Sequence, residues 1–118
     1  MPTFEPGTVV KIPFPDVERP VERFRPALVV SSPELGKVHG LLWVLMITSA
    51  RNGPWAGDIE ISNPELAGLP APSVVRCAKI ATIEKSSATA IGSLASPEWK
   101  LVTRMLDRVL NGSRMADQ

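Results

Sequence analysis

Arg23-Phe24-Arg25-Pro26-Ala27-Leu28-Val29-Val30, followed after a polar turn by Leu41-Leu42-Trp43-Val44-Leu45-Met46-Ile47-Thr48-Ser49, is the stretch that decides the fold. Two apolar runs flank a connection, Ser31 to Gly40, that holds Pro33, Gly36 and Gly40. That is the pattern of two strands joined by a loop or loose hairpin. Antiparallel pairing sets the start of one strand beside the end of the other, which makes Arg25 and Thr48 neighbours on one rim. A guanidinium beside a hydroxyl offers donors to the oxygens of a phosphate. The near-continuous apolar character of Arg25 to Val30 argues for burial on both faces.

Working outward, Thr8 to Phe14 alternates as a first strand, and Pro13 and Pro15 put its end at an edge or exit. Asp16 to Glu22 is a polar loop leading into Arg25. Beyond Ser49, Ala50 to Gly57 is a loop with Gly53-Pro54-Trp55 at its tip. Asp58 to Ser62 is a short, half-exposed strand, and Asn63 to Pro72 is a loop. Ser73 to Val75 and Lys79 to Ile83 are apolar strand pieces around Arg76, and Ile91 to Leu94 is a short strand or turn. The pattern then changes. Ser96-Pro97-Glu98 reads as a capping serine, a proline at the first helical position and an acid in the first turn. Trp99, Val102, Met105, Leu106, Val109 and Leu110 follow as a one-sided apolar stripe, and Asn111-Gly112 closes the helix. Strands first and one helix last give an α+β domain. Antiparallel strands this short are expected to close or half-close into a small barrel.

A chain of 118 residues is one domain with a real core. We place it at residues 1–112, with 113–118 as a frayed tail. Twelve prolines argue against a helical bundle. A net charge of +1 says little about partners, so a nucleic-acid contact requires a local basic cluster. The single cysteine makes no internal disulfide, which fits a reducing compartment. No signal-peptide pattern opens the chain and no apolar run spans a bilayer. The expectation is a cytoplasmic protein with no membrane partner.

Neither metal-ligand spacing nor a phosphate-cradling glycine motif is present. Cys77 reads as a buried strand residue. His39 reads as solvent-facing, and as the sole histidine it excludes a two-histidine acid–base pair within one chain. Trp55, with Arg51 in the same loop, suits either a base-stacking and phosphate-holding role or packing onto the barrel or a dimer face. Arg76 is either an outward residue on an exposed sheet face or a functional charge at a groove. Lys100, Arg104 and Arg108 lie off the helical stripe, as on a solvated face. Without further context, Arg25 would be a surface arginine pairing Glu22 or Asp16, and Thr48 a strand end.

The order of these pieces supplies that context. Gly7-Thr8-Val9-Val10, Phe14-Pro15, Arg25-Pro26-Ala27-Leu28-Val29-Val30, Ile47-Thr48-Ser49, Gly68-Leu69, Ser73-Val74-Val75-Arg76, Thr82-Ile83, Ile91-Gly92 and the closing amphipathic helix follow one another as in the MazF/PemK family of toxin endoribonucleases. The sequence resembles that family over nearly its whole length. The resemblance implies an SH3-like (CcdB/PemK-type) antiparallel β-barrel with a C-terminal helix, a homodimer, and a cognate antitoxin covering the active groove. It also implies cleavage of single-stranded RNA without a metal or other cofactor. It assigns the active site to Arg25 and Thr48, with Arg76 added as in the PemK branch. Phe14, Asp16, Arg19, Arg23, Ser49, Arg51, Trp55 and Lys79 are the residues expected to contact RNA.

Two departures bear on the acid–base groups. Val17-Glu18-Arg19-Pro20-Val21-Glu22 stands where many members carry Gly-Ser-Glu, and Ala78 stands where the PemK branch can carry an acid. Asp16, Glu18 and Glu22 are the substitutes at hand. The alternative function is a non-catalytic relative that binds and poisons a protein target such as DNA gyrase.

Overall fold

The computed structural model describes residues 4–15 and 22–112. The expected tail and most of the Asp16 to Glu22 loop lie outside them. In chain order the elements are β1 (Thr8–Pro15), β2 (Glu22–Val29), α1 (Pro33–His39), β3 (Leu41–Ser49), β4 (Asp58–Glu60), β5 (Ser73–Glu84), a short 3-10 turn (Lys85–Ser87), β6 (Thr89–Ser93) and α2 (Ser96–Asn111). The strands form one antiparallel sheet in the order β4-β5-β3-β2-β1-β6. The α+β class stands. The expected barrel does not close, because β4 and β6 are the two edges and do not pair with each other.

Backbone from the segment after β4 covers the β6 edge instead. Ser93 N–H donates to the Leu66 carbonyl at 3.1 Å, and Ala67 and Leu69 enter the same apolar cluster as Val9 and Leu94. Two glycines permit the approach. A Cβ on Gly68, which sits at φ +75°, would lie 2.1 Å from the Ile91 carbonyl oxygen. One on Gly92 would lie 2.4 Å from the Ala67 backbone.

The sheet is buried on both faces. One cluster, with Val9, Leu28, Leu45, Ile47 and Val75, is covered by Val102, Trp99, Met105 and Leu106 of α2. The other holds Phe4, Val10, Ile12, Ala27, Val29, Leu42, Val44 and Met46. Burial of β2 on both faces is therefore borne out at Ala27, Leu28 and Val29. The stripe of α2 outruns its cover, leaving Val109 and Leu110 exposed. They border an apolar groove of about 480 Å³ with Leu35, Trp43, Cys77 and Ile80.

Three local expectations are corrected. The Ser31 to Gly40 connection contains helix α1, with Pro33 in its first turn and Gly40 as a left-handed C-cap whose N–H returns to the Gly36 carbonyl. Ser96 is not the cap of α2: Ala95 holds that place, and Pro97 sits inside the first turn. The two strand pieces around Arg76 are one strand, β5. Its register against β3 jumps from Ile80 opposite Leu45 to Arg76 opposite Met46, so Cys77, Ala78 and Lys79 bulge.

Gly68→Ala tests this covered edge. Positive φ and the backbone clash together should lower stability by about 1–3 kcal/mol, read as a lower urea midpoint with an unchanged slope.

Candidate functional site

A missing donor opens the site. Val30 N–H reaches across to the Trp43 carbonyl of β3 at 2.9 Å. Alternate residues of a strand face the same neighbour, so Pro26 occupies the place of a later donor to β3, and proline has no N–H. The β2–β3 ladder accordingly runs Val29↔Val44, Leu28↔Leu45, Ala27↔Met46 and stops. Beyond that point β2 stays paired to β1 as far as Glu22, and β3 stays paired to β5 as far as Ser49. Between them lies a cleft of about 330 Å³, lined by Phe24, Arg25, Pro26, Ile47, Thr48 and Ser49. Leu69 to Ser73 forms its far wall. A second cavity continues it past Ser49, Ala50 and Arg51 along Ala71 and Pro72.

Continuing the register two places past Ala27↔Met46 sets Arg25 opposite Thr48. Both fall on the face that carries Ala27, Val29, Val44 and Met46, one row beyond the end of that cluster. Arg25 is exposed and Thr48 half-buried. The Thr48 Oγ1 accepts a hydrogen bond from Asn52 Nδ2 at 2.6 Å, which leaves its own proton to donate elsewhere. Ser49 Oγ accepts the Arg51 N–H at 3.2 Å, so Ser49 shapes the turn that presents the exposed Arg51. Phe24 is 66% exposed, and the Lys11 ammonium sits 5.2 Å from its ring centre. Among the described residues, neither a carboxylate nor an imidazole lines the cleft.

Arg76 lies one row behind, opposite Met46 on β3 and Asp58 on β4. It is 7% exposed, so it is neither an outward surface residue nor a side chain lining the cleft. Its Nε donates to Asp58 Oδ1 at 3.2 Å. Its Nη2 donates to Asp58 Oδ2 at 3.0 Å and to the Asn52 and Gly53 carbonyls at 3.3 and 2.8 Å. The guanidinium carbon stands 4.3 Å from the centre of the Trp55 ring, a cation–π contact. Burial works to raise the Asp58 carboxyl, but the hydrogen bonds from Arg76 and the Trp55 N–H, with the charge of Arg76, hold it below its ordinary value. Cys77, next in the chain, is buried. Its thiol is pushed up to about 11 by burial and by the charge of Asp58, so it is protonated at neutral pH, as suits a core residue.

The strands thus bring together Arg25, Thr48 and Ser49, and the loop after β3 adds Arg51 along the adjoining cavity. Trp55 is held over Arg76 by the same loop. Lys79 sits exposed on the β5 bulge and does not line the cleft. Phe14 and Arg23 are placed by the backbone alone, opposite each other in the β1–β2 ladder. Asp16 and Arg19 lie outside the described residues. Sequence reading passed over Phe24, Lys11 and Asn52, and the wall from Leu69 to Ser73. Phe24 was open to notice as an aromatic beside Arg25, and Pro70 and Pro72 as a stiff segment. Asn52 gave no signal, because its partner is fixed by how the loop turns. Among the described residues no three of His, Cys, Asp and Glu gather as a metal-binding group, and no helix is long and apolar enough to cross a membrane.

An α+β domain with a curled antiparallel sheet and a cleft at the interrupted β2–β3 ladder is the class this structure defines. The chain belongs to the PemK-like, MazF-like toxins of type II toxin-antitoxin systems, whose family signature matches residues 5–110. The family read from the ordered motifs is the one found. No curated protein matches the chain in sequence. Among solved structures, the MazE–MazF complex (Form II) from Deinococcus radiodurans is 22% identical, with 96% of this chain and 100% of that chain covered and a TM-score of 0.74. An endoribonuclease in complex with its cognate antitoxin from a mycobacterial species is 16% identical, with 95% and 97% covered and a TM-score of 0.71. Mycobacterium tuberculosis toxin MazF-mt6 is 21% identical, with 87% and 96% covered and a TM-score of 0.67. At these identities the likeness establishes the fold.

The Arg76–Asp58 pair makes a stability prediction. Removing one member of a buried pair strands the other charge, so Asp58→Asn should cost about 3–5 kcal/mol at neutral pH, measured by urea unfolding. The folded carboxyl titrates below its unfolded value. Its contribution is therefore full above the ordinary aspartate range and disappears as pH falls through the lowered value. Wild type should lose the pH-linked part of this contribution on acidification, and Asp58→Asn should lack that part of the acid limb.

Proposed function

We propose that this toxin is an endoribonuclease that cleaves single-stranded RNA through the RNA's own 2′-hydroxyl. The observation that carries the reading is the meeting of Arg25 and Thr48 in one cleft, with no ladder bond between their strands. In the reaction the O2′–P bond forms and the P–O5′ bond breaks. The 2′ proton goes to a base and the 5′-oxygen takes up a proton. Arg25 presents a guanidinium fork to the phosphorane oxygens. The Thr48 hydroxyl donates to one of them. Arg76 belongs to this site, one row behind the pair. Ser49, Arg51 and Trp55, with the exposed ring of Phe24, supply phosphate donors and stacking faces along the strand. Asp16, Glu18 and Glu22, just ahead of Arg25 in sequence, are the source we assign to the base. Phe14, Asp16, Arg19 and Arg23 complete the RNA contacts in this reading.

A cognate antitoxin is the partner that covers the cleft. Support comes from the family and from two similar structures that are complexes with antitoxins. We place the activity in the cytoplasm, where messenger RNA is translated, and read the active form as a homodimer. The apolar groove of Trp43, Ile80, Val109 and Leu110 is the face we assign to the second copy. A charge there meets a desolvated surface, so Ile80→Glu should shift the protein to monomer in sedimentation equilibrium while preserving its circular dichroism. Wild type that sediments as monomer at micromolar concentration would count against the dimer.

Cleavage itself is tested by single-turnover assays on a single-stranded RNA. Arg25→Ala should lose roughly two to three orders of magnitude. Arg25→Lys should rescue poorly, because an ammonium makes no two-pronged contact. Thr48→Val should slow cleavage with the fold intact. Products should end in a 2′,3′-cyclic phosphate and begin with a 5′-hydroxyl, and a chelator should change nothing. Wild type that arrests growth but cleaves no RNA would transfer the activity to target binding.

A further inference from the structure

We propose that Asn52 is the residue that positions the Thr48 hydroxyl, and that Arg76 acts on the site through Asn52 and makes no contact with the scissile phosphate. The inference rests on the reading of Arg25 and Thr48 as the phosphate-holding pair.

A threonine hydroxyl at a strand end rotates freely and donates in whichever direction is locally favoured. Here the Asn52 amide donates to Oγ1 at 2.6 Å. An oxygen that accepts on one side is left to donate on another, so the contact aims the Thr48 proton away from Asn52. Asn52 is exposed and stands in the loop after β3, a segment with little apolar anchorage of its own. Its position is fixed from behind. The Arg76 Nη2 holds both the Asn52 and Gly53 carbonyls, while the rest of its hydrogen-bonding goes to Asp58. The Asn52 N–H also closes onto the Ser49 carbonyl at 3.0 Å. The buried cation and its carboxylate therefore clamp the backbone whose side chain holds the Thr48 oxygen. Trp55 closes over the guanidinium.

The geometry separates two roles for Arg76. A charge that touches phosphate needs an open face toward the cleft. A clamp needs a fork that reaches one carboxylate and two carbonyls together, which an ammonium does not provide. The 7% exposure of Arg76 and its absence from the cleft lining fit the clamp.

The test is a double-mutant cycle in single-turnover cleavage of a single-stranded RNA. The variants are Asn52→Ala, Thr48→Val and the pair, each checked by circular dichroism. Asn52 is exposed, so its variants keep the fold. Asn52→Ala should slow the chemical step by on the order of 10- to 100-fold with little change in the RNA concentration for half-saturation. In the Thr48→Val background, which has no hydroxyl to aim, Asn52→Ala should cost nothing more. Asn52→Asp, which only accepts, should draw the Thr48 proton to itself and be slower than Asn52→Ala. Arg76→Lys should resemble Asn52→Ala and add nothing to it.

Multiplying losses in the pair, or wild-type cleavage by Asn52→Ala, would overturn the positioning role while leaving Arg25 and Thr48 in place. An Arg76→Lys loss that multiplies with that of Asn52→Ala would return Arg76 to the phosphate. If Thr48→Val and Arg25→Ala both cleave at the wild-type rate, or wild type cleaves no RNA, the cleft reading itself fails and the positioning role falls with it.

Discussion

One absent hydrogen-bond donor organises this molecule. Strand β3 is the centre of the sheet and is paired along its whole length to β5, but to β2 for only part of it. Pro26 marks the change. Before it in space Ala27 to Val29 and Val44 to Met46 form a paired, buried layer; after it the strands part, although each is still held by its other neighbour. The cleft is therefore a gap between two supported edges. Its walls keep the stiffness of paired strands while their facing side chains are released from the ladder. A site built this way is ordered before any ligand arrives, which is the condition for donors to stabilise developing charge without first reorganising.

Behind the cleft the problem is different. Arg76 is a cation in a nearly closed position, and burying a charge is costly unless it is paired and hydrogen-bonded. Asp58 supplies the opposite charge from the adjacent strand, two backbone carbonyls supply further acceptors, and an indole face closes the top. The same contacts that make the charge tolerable fold the loop after β3 back onto the sheet. Order in that loop follows from satisfying the guanidinium, since the segment from Ala50 to Ala56 is exposed along its length.

Much of this was legible in the chain, and the rest was hidden for identifiable reasons. The strand pair and the adjacency of Arg25 and Thr48 follow from two apolar runs and an antiparallel turn. Helix α1 was missed although Ser32-Pro33-Glu34 repeats the grammar read correctly as a helix start at Ser96-Pro97-Glu98. The difference is length: seven residues show no full apolar stripe. In α2 the same grammar misassigned the cap by one residue, as helix ends commonly slip. Closure was expected from strand number and size. What covers the β6 edge is an irregular segment around Gly68 meeting Gly92, and a steric match between a loop and a strand has no periodic signature. Strand β5 was read as two pieces because a bulge interrupts its alternation. Asn52 could not be read at all, since nothing in Arg51-Asn52-Gly53 says which way the amide turns.

The arginines show how finely the register decides chemistry. Arg25 and Arg76 both sit on strands among apolar residues, and both point to the same face of one sheet. They differ by one row. The row of Arg76 crosses Met46 and Ala27, inside the paired and buried region, so a charge there must be satisfied by the protein itself. The row of Arg25 crosses Thr48 beyond Pro26, where the ladder has ended and the acceptors can come from a ligand. Residue type supplies the same guanidinium in each case. The position of a single proline, relative to the pairing, separates the exposed one from the one tied to Asp58 and the loop after β3.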